Sequence, residues 1–171
     1  MAIENIEDLY IAHFRLLFNY LRSIGCSKEN AEDIIQNTFS KAVELSIHLE
    51  VTNISAWLFK VSLHQYYDLY RRNQRFPKAN IDEEHFLGLF VQEEDAQRML
   101  LQAERAHDIT AVLDRLKPAY KNLLLLKYDL DLTYEQMSVI LDMKIDTIRT
   151  SLYRARNDFK QKWSEQNERG F

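Results

Sequence analysis

Residues 132–156 read LTYEQMSVILDMKIDTIRTSLYRAR. Thr133 stands where a helix N-cap belongs, and Gln136 three residues later completes the T-x-x-Q form of a capping box. Met137, Ile140 and Leu141 follow at i, i+3 and i+4, which turns one apolar stripe toward a core. Asp142, Met143 and Lys144 leave about three residues for a turn. Asp146 or Thr147 can then cap a second helix, in which Ile145, Ile148, Leu152, Ala155 and Phe159 recur at helical spacing. The opposite face carries Arg149, Thr150, Tyr153, Arg156 and Lys160.

Two short helices joined by a tight turn, the second with a donor-rich face, make a helix-turn-helix pattern. An arginine fork matches guanine O6 and N7, threonine offers a hydroxyl and a methyl, and Lys, Arg and helix N-termini donate to phosphates. The same pattern also fits an ordinary helical hairpin with a solvated cationic face, and spacing alone does not choose between them.

Composition narrows the class. The 171 residues suit one or two domains, and 46% hydrophobic with 12% aromatic content is ample for a core. Three glycines, two prolines and recurring helical periodicity point to an all-α protein. No apolar run approaches the roughly 20 residues a membrane span needs, and the acidic start MAIENIEDLY is unlike a signal peptide. Cys26 is the single cysteine, so no internal disulfide is expected, which fits a reducing cytoplasm; it reads as a small, partly buried residue at a helix boundary. His13, His48, His64, His85 and His107 show no metal-ligand spacing, and neither a metal nor another cofactor is expected. The net charge of −4 argues against a free-standing, always-on DNA binder. The signs are segregated, however: Arg71, Arg72, Arg75 and Lys78 and the Lys144–Lys162 segment are basic and flank an acidic stretch from Asn80 to Thr110.

Along the chain, Glu4 to Ile24 predicts a first helix with Ile6, Leu9, Tyr10, Phe14, Leu17, Phe18 and Leu21 inward, stopped by Gly25. Ser27 caps a second, whose apolar face is Ala31, Ile34, Ile35, Phe39, Ala42 and Val43. Its other face gathers Glu32, Asp33, Gln36, Asn37 and Lys41, which the pattern alone reads as solvated. His48 to Asn53 is a loop, and Asn53 or Ser55 starts a third helix rich in aromatics, with Trp57, Leu58, Val61 and Tyr66 or Tyr67 packed inward. Aromatics interleaved with cations also suit stacking on unpaired bases. From Phe76 to Ala103 the pattern weakens into a flexible acidic linker with an amphipathic patch at Phe86, Leu87, Leu89 and Phe90. Beyond it, Ala106, Ile109, Val112, Leu113 and Leu116 mark a helix, Pro118 opens the next, and Leu123 to Leu126 is buried. Asp129–Asp131 turns the chain into the helix-turn-helix, and Gln166 to Phe171 forms a loose tail.

Three segments taken in order carry a resemblance. AEDIIQNTF at Ala31–Phe39 resembles the AED-x-x-Q-E-x-F motif of bacterial sigma factors, and SAWLFKVSLHQYYDLYRR at Ser55–Arg72 resembles their TWLYRIARN…D…RR helix. The C-terminal stretch is similar, without a gap, to LS-x-EEIA-x-x-LG-x-x-x-GTVKSRL-x-RAR. Each motif is modest alone; together they resemble the two-domain extracytoplasmic-function group over about residues 5–75 and 105–160.

The resemblance implies a layout of residues 1–76 as a region 2 domain, 77–104 as linker, 105–165 as a region 4 domain and 166–171 as tail. It implies binding to core RNA polymerase, through the clamp helices of the largest subunit and the flap of the second-largest, with Glu32, Asp33, Gln36, Asn37 and Lys41 as docking candidates. Reading of the −10 element falls to Asn53, Lys60, His64, Tyr67, Arg71, Arg72 and Arg75, and of the −35 element to Thr133, Lys144, Arg149, Thr150, Tyr153, Arg154 and Arg156. Primary sigma factors melt promoters with a tryptophan pair; Lys60 and Val61 stand there, so melting falls to base capture by the His48–Asn53 loop. Asn37, His64, Asp146 and Ser151 depart from the family's Glu, Asn, Gly and Arg. An anti-sigma partner, a cytoplasmic monomer outside complexes and no catalytic residues complete the implied picture. A helix-turn-helix repressor or response-regulator output would need only the C-terminal half, and a sigma-like sequestering protein would need no promoter at all.

Overall fold

The computed structural model describes residues 6–46, 53–73, 75–92 and 109–168, and among these every regular element is helical. Three helices form the N-terminal half: α1 (Ile6–Ser23), α2 (Lys28–Ser46) and α3 (Ile54–Arg72). Leu17, Leu21, Ile35 and Leu58 are buried between them, with Phe14, Tyr10 and Phe39 in ring contact at the α1–α2 edge. Tyr20 lies off the expected α1 stripe yet is 1% exposed, its ring 4.8 Å from that of Phe59. A hydroxyl that finds an acceptor lets tyrosine act as core, and pattern reading that treats it as half-polar overlooks this.

Gly25 ends α1 at φ +90°, and a Cβ there would meet the Lys78 carbonyl oxygen at 2.1 Å. The stop therefore requires glycine twice over, for the left-handed backbone and for the approach of the later chain. Ser27 does cap α2, its Oγ accepting from the Asn30 amide at 3.2 Å. Val43, expected inward, is 48% exposed, because it lines an open groove beside Tyr10 and Phe39 instead of a closed core. Trp57 and Val61 are half-buried, while Ala56 and Phe59 take the deeper positions. A buried polar ladder fixes the α2–α3 crossing: Thr38 Oγ1 lies 3.1 Å from Ser62 Oγ and accepts from Gln65 Nε2 at 2.8 Å.

The stretch expected as a flexible linker contains a helix, α4 (Glu83–Gln92). Phe86 and Phe90 are fully buried, Phe90 lying 5.1 Å from both Tyr128 and Phe159. Two rings at i and i+4 suffice to dock a short helix while its acids stay in water. Acidic composition concealed that stripe as a linker patch. Upstream, the Ala79 amide donates to the Asp114 carboxylate at 3.3 Å, tying the connection down. Residues 93–108, including Ala106, lie outside the described residues.

The C-terminal half continues with α5 (Ile109–Asp114) and α6 (Pro118–Leu124), which runs into a π-helical turn at Leu125–Asp129. Pro118 occupies the first turn of α6, and Leu123 to Leu126 are buried as expected. Two helices close the fold, α7 (Tyr134–Leu141) and α8 (Ile145–Glu168). Helix α8 extends through Gln166 into the span expected as a loose tail, with Trp163 buried one turn past Phe159.

The halves pack on each other. Helix α3 lies against α7, and α1 against the π-helical turn. The Tyr20 hydroxyl donates to the Asn122 side-chain oxygen, and the Ser23 hydroxyl donates to the Asp129 carboxylate. Asn53 Nδ2 donates to the Val139 carbonyl at 2.7 Å.

Candidate nucleic-acid interface

The capping box read from sequence is present. Thr133 Oγ1 accepts from the Gln136 amide at 3.1 Å, and Gln136 Oε1 accepts from the Thr133 amide at 2.9 Å. Met137 and Ile140 are buried and Leu141 half-buried. Asp142 ends α7 in the left-handed conformation at φ 53°, a position aspartate tolerates better than most residues. Ser138 Oγ donates to the Met143 carbonyl at 2.6 Å and draws the turn tight.

That tight turn moves the start of α8 forward. The helix begins at Ile145, and the Lys144 carbonyl already accepts from the Ile148 amide at 3.0 Å. Asp146 and Thr147 thus lie inside the first turn and do not cap it as the sequence suggested. Asp146 there suits the positive end of the helix. Ile148, Leu152, Ala155 and Phe159 are buried, which leaves Arg149, Thr150, Tyr153 and Arg154 exposed as one face, Tyr153 at 60%. Lys144 and Thr133 stand exposed at the edges of the same surface. Arg156, expected on that face, turns back: its Nη1 donates to the Tyr128 hydroxyl at 2.9 Å. A buried tyrosine within an apolar run captured this cation, a contact that helical spacing does not reveal.

A second basic face runs along α3. Lys60, His64, Tyr67 and Arg71 recur every three or four residues and therefore share a side. Lys60, His64 and Arg71 are exposed and Tyr67 is half-buried; Arg72 and Arg75 are exposed beside and beyond them. Phe76 was not singled out in sequence, yet it is 50% exposed and lies 6.1–6.5 Å from the rings of Tyr66, Tyr67 and Tyr70. The signal for it was the aromatic-basic rhythm continuing past the helix end. Tyr67, Arg71 and Phe76 border a cleft of about 930 Å³ whose far wall includes Leu116 and Lys121 of the C-terminal half. Asn53 caps α3, accepting from the Ala56 amide at 3.0 Å, while its amide nitrogen is engaged by Val139 across the seam. The rest of the His48–Asn53 loop lies outside the described residues.

On α2, Asp33, Gln36, Asn37 and Lys41 are exposed and Glu32 half-buried. Asp33 and Asn37 open onto a groove of about 360 Å³ shared with Gln65, Asp68 and Arg72 of α3. The α3 contribution was not legible beforehand, since the crossing of the two helices brings it there.

Burial raises the Tyr20 and Tyr66 hydroxyls and the Cys26 thiol above their ordinary pKa, so all three stay protonated at neutral pH. Burial also raises the Asp129 carboxyl, against the opposing hydrogen bond from Ser23. Among the described residues no cluster of three or more His, Cys, Asp or Glu could hold a metal, and no helix is long and apolar enough to cross a membrane.

Two family models match: "Sigma-70 region 2" over residues 9–76 and "Sigma-70, region 4" over residues 106–158, together well over half of the chain. The chain is similar to the RNA polymerase sigma factor YlaC of Bacillus subtilis, at 27% identity over 96% of this chain and 95% of that protein. It is similar to the ECF RNA polymerase sigma factor SigM of the same organism, at 26% identity over 91% and 93% of the two chains. Two solved structures share the fold. CnrH in complex with the cytosolic domain of CnrY has a TM-score of 0.58 at 19% identity, covering 94% of this chain and 90% of that one. RpoE in complex with the anti-sigma factor NepR from Bartonella quintana has a TM-score of 0.54 at 21% identity, covering 95% and 98%.

Proposed function

The chain belongs to the sigma-70 family, in its extracytoplasmic-function group, and directs RNA polymerase to promoters; we propose that its two helical faces divide that work between two promoter elements. The exposed face of α8, with Arg149, Thr150, Tyr153 and Arg154, enters the major groove of the −35 element. Lys144 and Thr133 donate to flanking phosphates, which position the helix without specifying sequence. Arg156 braces α8 through Tyr128 and acts behind the reading face.

The α3 face takes the −10 element. Lys60, Arg71, Arg72 and Arg75 follow the backbone, Tyr67 and Phe76 offer ring surface to unpaired bases, and His64 stands where a base edge would be sensed. The observation that carries this reading is the pairing of two basic, aromatic-bearing helical faces on one chain of net charge −4. Neither face alone needs to grip DNA tightly, because the polymerase holds both on the same promoter and raises their effective concentration.

Docking to core polymerase falls to the α2 face of Asp33, Gln36, Asn37 and Lys41, with Asp68 of α3 as an added acid beside the groove. Clamp helices of the largest subunit are the partner for this face, and the flap of the second-largest for the C-terminal half. Residues 1–76 and 105–165 act as the region 2 and region 4 units, with α4 borrowed from the intervening stretch into the C-terminal core. The chain contributes recognition and leaves the chemistry to the polymerase. An anti-sigma partner in the cytoplasm would cover these faces, a reading supported by the similar structure of RpoE in complex with the anti-sigma factor NepR.

Run-off transcription tests the reading. The purified chain is combined with bacterial core polymerase on fragmented DNA of its source, and the start sites are sequenced. Discrete starts preceded by a shared two-part motif are expected. Starts without an upstream element would remove the role given to α8, and binding to polymerase without any starts would favour a sequestering protein.

A further inference from the structure

The exposed arginine at the head of α8 is held from behind. Arg149 Cζ lies 5.2 Å from the centre of the Tyr134 ring, and its other visible tie is loose: Nη1 sits 3.7 Å from Asp146 Oδ1, on a side chain 95% exposed. So open an ion pair is a weak restraint. The ring is a better one, because Tyr134 is itself fixed. It is the first residue of α7, inside the capping box that Thr133 and Gln136 close, and is half-buried against the core. Lys127 Nζ lies over the same ring at 4.9 Å and donates to the Leu132 carbonyl at 3.2 Å. One aromatic side chain thus gathers cations from the π-helical turn and from α8, two elements that also meet where Arg156 donates to Tyr128.

We propose that Tyr134 is a positioning residue for promoter recognition: its ring sets the Arg149 guanidinium in the pose from which the fork addresses a guanine. This rests on the −35 role given to Arg149 above. A free arginine head explores many rotamers and must surrender them on binding, whereas one stacked on a ring has already done so. Bidentate contact with O6 and N7 also needs the guanidinium plane oriented, and stacking on an aromatic face orients it. The tyrosine hydroxyl takes no part, so phenylalanine at 134 keeps the function and leucine does not.

The test uses holoenzyme assembled from core polymerase and full-length chain carrying Tyr134→Phe, Tyr134→Leu, Arg149→Ala or the Leu/Ala pair. Transcription from a cognate promoter is compared with promoters substituted at each −35 base pair and at the −10 element. Arg149→Ala identifies the base pair the arginine reads, as the one where discrimination collapses. Tyr134→Leu is expected to lower discrimination at that base pair roughly two- to fivefold, the scale of one lost cation–π contact. Discrimination at the −10 element should not move, Tyr134→Phe should behave as wild type, and Tyr134→Leu should add nothing in the Arg149→Ala background. If Tyr134→Leu is silent where Arg149→Ala is not, the positioning role is wrong and the −35 reading stands. A loss spread evenly over all promoter positions, or one that persists without Arg149, would make Tyr134 a merely structural residue. An Arg149→Ala chain that discriminates like wild type would overturn both.

Discussion

The two basic helices differ in how the rest of the molecule treats them. Helix α8 holds its proposed reading face clear: its other side is buried at Ile148, Leu152, Ala155, Phe159 and Trp163, on a platform of α4 and α6, while Tyr153 is 60% exposed. Helix α3 carries a similar mixture of rings and cations, but its first residues rest against α7 through Asn53 and Val139. Its C-terminal aromatics border a cleft walled by the other half. One surface is therefore preformed by its own domain, while the other is shaped partly by contact between domains. The two proposed reading faces thus obtain their backing from different sources.

The largest expected effect removes the platform. Phe90→Ala deletes a fully buried ring between Tyr128 and Phe159 and should cost about 3–5 kcal/mol in urea unfolding. A loss below about 1 kcal/mol would mean α4 is not part of the core that backs α8. Next, Arg149→Ala should weaken use of a cognate −35 element by about 1–3 kcal/mol and leave −10 preference alone, as read by promoter competition. Asn53→Ala touches the other helix and should cost about 1 kcal/mol of stability through the lost cap. It also removes the Asn53–Val139 bond between α3 and α7, so amide exchange should quicken at the start of α3 while α8 is unchanged.

The smallest effect concerns the second clasp of the seam. Asp129, bonded by Ser23 and neighboured by His85 and Asp82, has its carboxyl raised by burial. Between the ordinary and the raised value the folded chain keeps a proton that the unfolded chain releases. Stability should therefore fall as pH rises through that window and recover as pH is lowered into it. Asp129→Asn should flatten this segment of the Tm-against-pH curve, and an unaltered slope would assign the dependence elsewhere.

Much of this was legible in the residues. The capping box, the stop at Gly25, the cap at Ser27, the Pro118 start and the buried Leu123–Leu126 run follow from local rules, and the structure keeps each of them. What escaped depends on partners distant in sequence. Phe86 and Phe90 looked like a linker patch until Tyr128 and Phe159 gave them a core. Arg156 has the spacing of a groove residue but meets Tyr128, 28 positions away. Tyr20 sits in the core with its ring on Phe59 and its hydroxyl accepted by Asn122, 102 positions away. Asp146 has the chemistry of a cap, but the three-residue turn leads straight into a helix that begins at Ile145, which places Asp146 inside its first turn. The docking candidates on α2 were visible only by resemblance, since five polar residues on a solvated face carry no local sign of a partner.

One chain is proposed to read two promoter elements with two separate faces. This division is tested most directly by transcription from a library randomised at both elements, using polymerase loaded with wild-type, Arg149→Ala or His64→Asn chain. Arg149→Ala is expected to change the selected sequence only upstream, and His64→Asn only downstream. Either substitution altering both elements, or His64→Asn altering only the upstream one, would contradict it.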